Sequence, residues 1–463
     1  MSCAVALDRD CIVFEKEGRP GGLCRTEMLA GYTIDHSGHY LHFRDSAVRS
    51  LVFRLLRGNL ISRERDSWVR LNDVETPYPF QANLRGHPPA VIRECVLGIM
   101  RAAATGKLPG PGASEARGAS KAGHAQRFVA PGASYGGWIR SVYGDGFARH
   151  FMIPFNEKQF MTGIDRLVPE QGGRFLPRPR LMDVIRGAIG PQKKSFGYNA
   201  LVWHPRRGGI EALPRAMASG LVAPVRAETA VERVLWKERS VLLSNGRKEP
   251  YDVLVSTMPL PELLGRLDPV LPATEGARKS LRWIGTLTVH YCVRRPRERR
   301  KHWVYVPERR FPFYRYGFPA NIVPGTAPRG HGIVSAEVSY APGRRPSDRK
   351  VVRDCARGLR AVGALGPQSD TALTLVADYP VAYVIFDGNR AGARRTAFRF
   401  LARQGIMSVG RYGDWGYGGM EDAIRDGRAA ATAIAAYGKR APERFASAVL
   451  RSEMPAKLAS GNR

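Results

Sequence analysis

Residue types suited to holding a nucleotide cofactor gather near the start of the chain, over Asp10–His42 (DCIVFEKEGRPGGLCRTEMLAGYTIDHSGHYLH). An apolar stretch, Cys11–Phe14, ends on an acid, Glu15. In a dinucleotide-binding β-α-β unit an acid at the end of the second strand accepts hydrogen bonds from the ribose. It stands roughly 20 residues beyond a G-x-G-x-x-G turn. Only fourteen residues precede Glu15, so the acid is present and the glycine turn is not. A basic loop follows, with Lys16, Arg19 and Arg25 around Gly21-Gly22. The glycines permit close backbone approach, and Arg25 can offset pyrophosphate charge. A polar segment with three histidines, His36, His39 and His42, comes next. Each feature also has a plain reading: a solvated strand-end acid, an ordinary turn, structural histidines.

The elements that must position these residues follow from periodicity. Ser2–Leu7 reads as the end of a helix, Asp8–Asp10 as a turn and Cys11–Phe14 as a buried strand. The expectation is the second half of a β-α-β unit. Helices are expected over Ser46–Arg57, Val91–Ala104, Tyr135–Phe155, Ile210–Ala218, Ser347–Val362 and Met420–Tyr437. Trp68–Leu71 with Tyr78–Gln81 reads as a strand and turn, and Leu221–Gly246 as alternating strands closed by an Asn-Gly turn. Further strands are expected at Val253–Ser256, Leu281–Val293, Ile333–Tyr340, Leu373–Val384 and Ile406–Val409. Thr105–Ser134, rich in Gly, Pro, Ala and Ser, reads as a mobile loop or lid. Strands alternate with helices at both ends around a β-rich middle, which suggests an α/β nucleotide-binding domain built from discontinuous pieces.

The chain has 463 residues, enough for two or three domains of about 150 residues each. No run of roughly 18 apolar residues exists, so no membrane span is expected, and no secretory signal is visible. Six scattered cysteines lack metal-ligand or disulfide-framework spacing, which favours a reducing cytoplasm. The formal net charge of +31 would attract nucleic acid, anionic membrane or phosphorylated ligands. The arginines are spread evenly and no reader module is present, so nucleic-acid binding is not expected.

Four stretches, in order and spanning nearly the whole chain, carry a family likeness. They are VFEKEGRPGGLCRT with Asp35-His36-Ser37-Gly38-His39; HFMIPFNEKQF (His150–Phe160), similar to h-F-x-x-P-Y-N-x-K-x-W; GYNALVWHPRRGGIEAL (Gly197–Leu213), similar to G-Y-x-x-x-x-Y-P-x-x-G-G-I; and VGRYGDWGYGGMEDAIRDG (Val409–Gly427), similar to G-R-x-x-x-W-x-Y-x-x-M. Together they resemble the FAD-dependent amine oxidase, protoporphyrinogen oxidase and UDP-galactopyranose mutase group. Departures are the absent glycine turn, Phe155 for the usual Tyr, Phe160 for the usual Trp, and a long insert at 105–134.

The resemblance implies an α/β fold: a Rossmann-like FAD-binding domain, its first β-strand and glycine turn missing, with an inserted β-sheet-plus-helix substrate domain. The expected parts are FAD-binding pieces at 1–85, 196–265 and 401–437, a helical segment at 86–195, a substrate domain at 266–400 and a polar tail at 438–463. FAD would be held by Glu15 at the ribose, by Lys16, Gly21, Gly22 and Arg25, and by the backbone of Val231 at the adenine. Gly410 would pass the ribityl chain and Arg411 would reach a phosphate. Met420 would open a helix whose free donors suit a pyrophosphate or the flavin O2 edge. Trp415 and Tyr417 would line the flavin pocket or pack the core. His39 or His42 would lie near the flavin. Arg174, Arg178 and Arg315 would face a small, anionic substrate, with Tyr379-Pro380 and Tyr383 beside it; His39, Arg174, Arg315 and Tyr379 are the catalytic candidates. The plain alternative for each arginine is a surface position.

Three functions follow from the resemblance. One is an FAD-dependent oxidoreductase, in which the substrate gives hydride to flavin. The second is a redox-neutral nucleotide-sugar mutase. The third is a non-catalytic relative that has lost cofactor binding, suggested by the absent turn.

Overall fold

The computed structural model describes residues 1–7, 11–104, 132–172, 176, 180–190, 192 and 200–451. Its largest sheet has seven strands in the order Thr371–Ile385, Arg282–Val293, Gly332–Tyr340, Arg315–Gly317, Trp303–Tyr305, Ser67–Leu71, Val74–Pro77. Neighbours are antiparallel except Trp303–Tyr305, which runs parallel to Ser67–Leu71. Two strands of this sheet, at 67–77, thus come from outside the 266–400 segment.

The sequence of the central strand explains why both of its faces are covered. Leu287, Val289, Tyr291 and Val293 alternate on one face, and they pack with Val351, Cys355 and Leu359 of the helix Asp348–Ala361. Thr286, Thr288 and His290 occupy the other face and are buried all the same. Alternate side chains of a strand point to opposite faces, so a polar row lies beneath the second layer. That layer includes the 36–42 segment, where His290 meets the His36 carbonyl and the His36 and His39 rings face Tyr379.

Outside the large sheet, Leu254–Ser256 and Ile406–Ser408 form a parallel pair. The helix Met420–Tyr437 and the helix Ser2–Leu7 pack together, and a Cβ on Gly427 would overlap the side chain of Ser2. A four-stranded sheet, in the order Leu267–Asp268, Val231–Leu235, Ser240–Leu243, Lys248–Pro250, lies alongside; Gly246 supplies the positive φ of its Asn-Gly turn. At one end of the large sheet the helices Pro89–Ala104 and Tyr135–Phe147 pack closely on each other. They meet through Gly98, Gly144 and Gly146, where a Cβ would overlap facing backbone.

Several expectations need correction. Cys11–Phe14 is not a buried strand: Ile12 is 48% exposed, and Phe14 makes a single parallel bridge, to Arg226. Among the described residues the segment pairs on one side only, with 226–229, so no full ladder forms. Leu221–Gly246 yields strands only at Val231–Leu235 and Ser240–Leu243, because 225–229 is spent on that same irregular pairing. The helix expected over Tyr135–Phe155 is broken at Gly144 (φ 80°), passes through a π-turn at Ala148–Met152 and continues to Phe160. The tail at 438–463 includes a helix, Ala441–Arg451, that buries Ala441, Pro442 and Ala446. Its apolar residues at 441, 442, 445, 446, 449 and 450 make one helical stripe. Most of the expected lid, 105–131, lies outside the described residues.

Candidate functional site

The two sequence halves expected to form a cofactor cleft meet, and a buried carboxylate joins them. Glu421 opens the helix Met420–Tyr437 and accepts from the backbone N–H groups of Arg44 and Asp45, both at 2.7 Å. Asp45 in turn caps the helix Ser46–Leu56, accepting from Ala47 and Val48. The 36–45 segment is thereby pinned beside Val409–Met420.

A second buried junction fixes the hairpin that precedes this segment. Asp35 accepts from Thr26 Oγ1 at 2.6 Å and from the Ile210 amide at 2.9 Å, and lies 2.6 Å from His204 Nε2. Hydrogen bonding to these groups holds the Asp35 carboxyl below its ordinary range against the opposing effect of burial. Glu211 accepts from the Thr26 amide and from Arg19. Gly209 allows this close approach: a Cβ there would overlap Thr26 and Asp35.

The expected cofactor residues sort into distinct states. Glu15 has its backbone paired with Arg226 and Thr229, and its carboxylate accepts from the nearby Glu17 amide at 3.0 Å. Lys16 is exposed. Gly21 (φ 130°) lies against Pro214, where a Cβ would come within 2.8 Å. Gly22 (φ 59°) has open space on its Cβ side, which leaves backbone approachable. Arg25 lies 3.8 Å from Glu17. Val231 pairs with Leu243 at a bulge. Gly410 (φ 77°) opens a one-turn helix and has no atom near its Cβ position. Arg411 donates to the carbonyls of Gly418 and Ala382 and sits over the rings of Tyr383, Tyr412 and Tyr417. Only its Nε is without a partner among the described residues, so its guanidinium is a fixed charge rather than a free phosphate clamp. Met420 is the first residue of its helix, with the Gly419 amide already taken by Asp422.

The expected catalytic residues divide similarly. Arg174, with Arg178, lies outside the described residues, as does Gly197-Tyr198. Arg315 is half-buried and bound to the buried Glu337 through Nε and Nη2, at 2.6–3.0 Å. Tyr314 donates to the same carboxylate at 2.6 Å and lies 3.5 Å from the Tyr383 hydroxyl. His39 faces Tyr379 edge-on, ring centroids 6.1 Å apart. Burial, helped by the charge of Arg411, pushes the His39 pKa down to about 4, so the ring is neutral at ordinary pH. Burial likewise raises the Tyr379 phenol well above its usual range. His42 lies on the other side, near the Leu201 carbonyl. Phe155 and Phe160 join an aromatic wall with Tyr305, Tyr314 and Tyr383 between helix and sheet. A cavity of about 130 Å³ opens beside it, lined by Asp35, Gly38, Tyr40, His42, Arg315 and Glu337 among others.

Whether these residues fit a flavin is tested by their unmet hydrogen-bonding capacity. Among the described residues His39 Nδ1, the Tyr379 hydroxyl, Thr286 Oγ1, Thr288 Oγ1 and Arg411 Nε are buried without partners. Tyr379 stands opposite Thr286 in register, and Thr288 opposite Glu337. Buried polar groups left unpaired are costly and point to a missing partner. Donors and acceptors on one sheet face, opposed by His39 and the start of the Met420 helix, suit a ring with alternating N–H and C=O edges. The residues present fit the group.

Sequence reading missed Glu337, Thr286, Thr288, His290, His204, Glu211 and Glu421 as site builders. A signal existed for the first four: an acid in IVSAEVSY, and a polar residue at every second position of TLTVHY, both inside apolar strands.

The chain is similar to known proteins along nearly its whole length. A family model described as flavin containing amine oxidoreductase matches residues 1–435. Among solved structures, a reduced UDP-galactopyranose mutase matches with TM-score 0.83 and 22% identity, over 97% of this chain and 94% of that one. A putative protoporphyrinogen oxidase from Exiguobacterium sp. 255-15 matches at TM-score 0.69 and 14% identity, over 94% and 95%. Putrescine oxidase bound to putrescine matches at 0.60 and 16%, over 94% and 96%. At these identities the likeness is one of fold.

Proposed function

The chain belongs to the flavin containing amine oxidoreductase family, and from that premise we propose that it is an FAD-dependent oxidoreductase taking hydride from a small organic substrate. The observation that supports this most is the set of unpaired buried polar atoms around His39 and Tyr379. A bound flavin would supply the two-electron acceptor. Glu15, Lys16, Gly21, Gly22, Arg25 and Val231 are proposed on its adenosine and pyrophosphate side. Gly410, Arg411 and Met420 are proposed on its ribityl and ring side. His39, neutral and with its Nδ1 buried, would present an acceptor nitrogen toward the ring, and Arg411 a permanent positive charge. The Phe155–Phe160 wall would exclude water from the reacting face. Because Arg315 is held by Glu337, Arg174 is the better candidate for an anionic group on the substrate.

The test is spectroscopic. Purified protein is expected to show a flavin spectrum that a substrate bleaches without oxygen and that oxygen or a dye restores. A colourless protein that takes up no FAD sinks the reading and favours a non-catalytic relative.

A second reading, a redox-neutral rearrangement of a sugar nucleotide, is favoured by one observation: the likeness to the mutase (TM-score 0.83) exceeds that to the oxidases (0.69 and 0.60). Turnover that appears only after prior reduction by dithionite, with no net oxidation of substrate, would select it.

A further inference from the structure

The turn His36–His39 is tied to the large sheet by a hydrogen bond from His290, beside the ring contacts of His36 and His39 with Tyr379. His290 Nε2 lies 3.2 Å from the carbonyl oxygen of His36, and His290 Nδ1 lies 2.8 Å from Ser335 Oγ. Ser335 is the residue directly across from His290 on the neighbouring strand. A carbonyl only accepts, so Nε2 carries the proton and Nδ1 accepts from the Ser335 hydroxyl. Burial pushes the His290 pKa down to about 4, so this neutral form persists at ordinary pH.

The turn also makes local hydrogen bonds. The His36 amide donates to Arg25 O at 3.0 Å, the His36 ring meets Glu27 at 3.0 Å, and the His39 amide donates to Ser37 O at 2.7 Å. None of these three reaches the sheet. Gly38, between the two histidines, leaves the backbone free to swing if the sheet anchor is cut.

We propose that His290, backed by Ser335, is a positioning residue: through the His36 carbonyl it fixes the turn that aims His39 into the cofactor cleft. The proposal rests on the flavin reading only for what the cleft holds. The geometry of the anchor concerns this chain alone. A phenylalanine would fill the same space on the strand, so packing does not require a histidine there. What a histidine adds is one donor toward the turn and one acceptor toward Ser335, and both are used.

The experiment follows His39 by NMR titration in the full chain, with histidine rings labelled and the His39 signal assigned by its loss in H39Q. The charged groups that bear on this ring are Arg411 and Arg315, which lower its pKa, and Asp35 and Glu337, which raise it. In wild type its midpoint is expected near 4. In H290F, which keeps the ring shape and removes the donor, the midpoint is expected to rise by roughly one pH unit or more as water reaches the turn. H290Q, which keeps a donor and an acceptor, should restore the wild-type midpoint. S335A should fall between. A parallel measurement on FAD-loaded protein, the flavin midpoint potential, should shift in the same order across the variants.

An unmoved His39 midpoint in folded H290F overturns the proposal. If H290F does not fold, S335A decides, and an unmoved midpoint there overturns it equally. If wild type takes up no flavin, the functional reading fails while the His39 titration still judges the anchor.

Discussion

Glu337 sits in the middle of an apolar strand, and Arg315 and Tyr314 converge on its carboxylate. The cluster was half legible: Arg315 stands out in FYRYGF, but its partner lies 22 residues on and nothing in the spacing links them. The consequence reverses the simple view of Arg315 as a substrate clamp. Removing Arg315 strands the buried Glu337 charge; for a fully buried pair that costs about 3–5 kcal/mol, and the partly exposed arginine brings it toward the lower end. R315M should therefore lower the urea midpoint strongly, and adding E337M should recover much of it; a fully stable R315M would mean that Glu337 is not paired as described. Arg174 is expected to behave differently. R174A should raise KM for an anionic substrate about tenfold or more, as loss of a charge-assisted bidentate contact implies, with the flavin spectrum unchanged. Equal loss of flavin would argue against a substrate role.

At the scale of elements, periodicity located the helices at 348–361 and 420–437 and the long strands of the 266–437 region to within a residue or two; the helix Met420–Tyr437 and the strand Arg282–Val293 are examples. It missed the helix Arg390–Arg403, whose six-residue run of small and basic residues hides its apolar face. It failed where geometry is set by neighbours. Cys11–Phe14 has a strand's composition, but Ile12 is exposed and Phe14 makes an isolated bridge to Arg226. Tyr135–Phe155 has a helix's period, but Gly144 adopts φ 80° so that its backbone can touch that of Gly98. Gly144→Ala should thus cost several kcal/mol, about 1–3 from backbone strain with overlap added, and calorimetry should show a lower Tm; an unchanged Tm would contradict the close contact. Glu421 makes the complementary case for a polar junction. E421A removes the acceptor of the part-buried amides of Arg44 and Asp45, a loss of about 1 kcal/mol for each group at this exposure. Weaker FAD retention on dialysis should accompany the loss of stability, because the same contact closes the cleft.

For the molecule as a whole, the pH response follows from its buried imidazoles. His39, His87, His290 and His302 are each pushed down to about 4, chiefly by burial. Their native pKa values lie below the unfolded value of about 6.5. Between these limits the unfolded chain binds more protons, so stability is complete above about pH 6.5 and falls as the pH drops toward 4. Each histidine adds a slope of up to about 1.4 kcal/mol per pH unit. Urea midpoints measured from pH 7 to pH 5 should fall steeply, and H87Q should make the decline shallower; parallel curves would remove His87 from the account. The contact between Glu421 and the Arg44–Asp45 amides has a further meaning for how the protein comes to exist. It spans 376–377 residues of chain, and contacts of such sequence separation close late, after local structure has formed. The cleft is accordingly among the last parts to assemble and among the first to open. A ligand that bridges its two sides would work as a clasp on the folding reaction itself, slowing the escape of one chain end from the other.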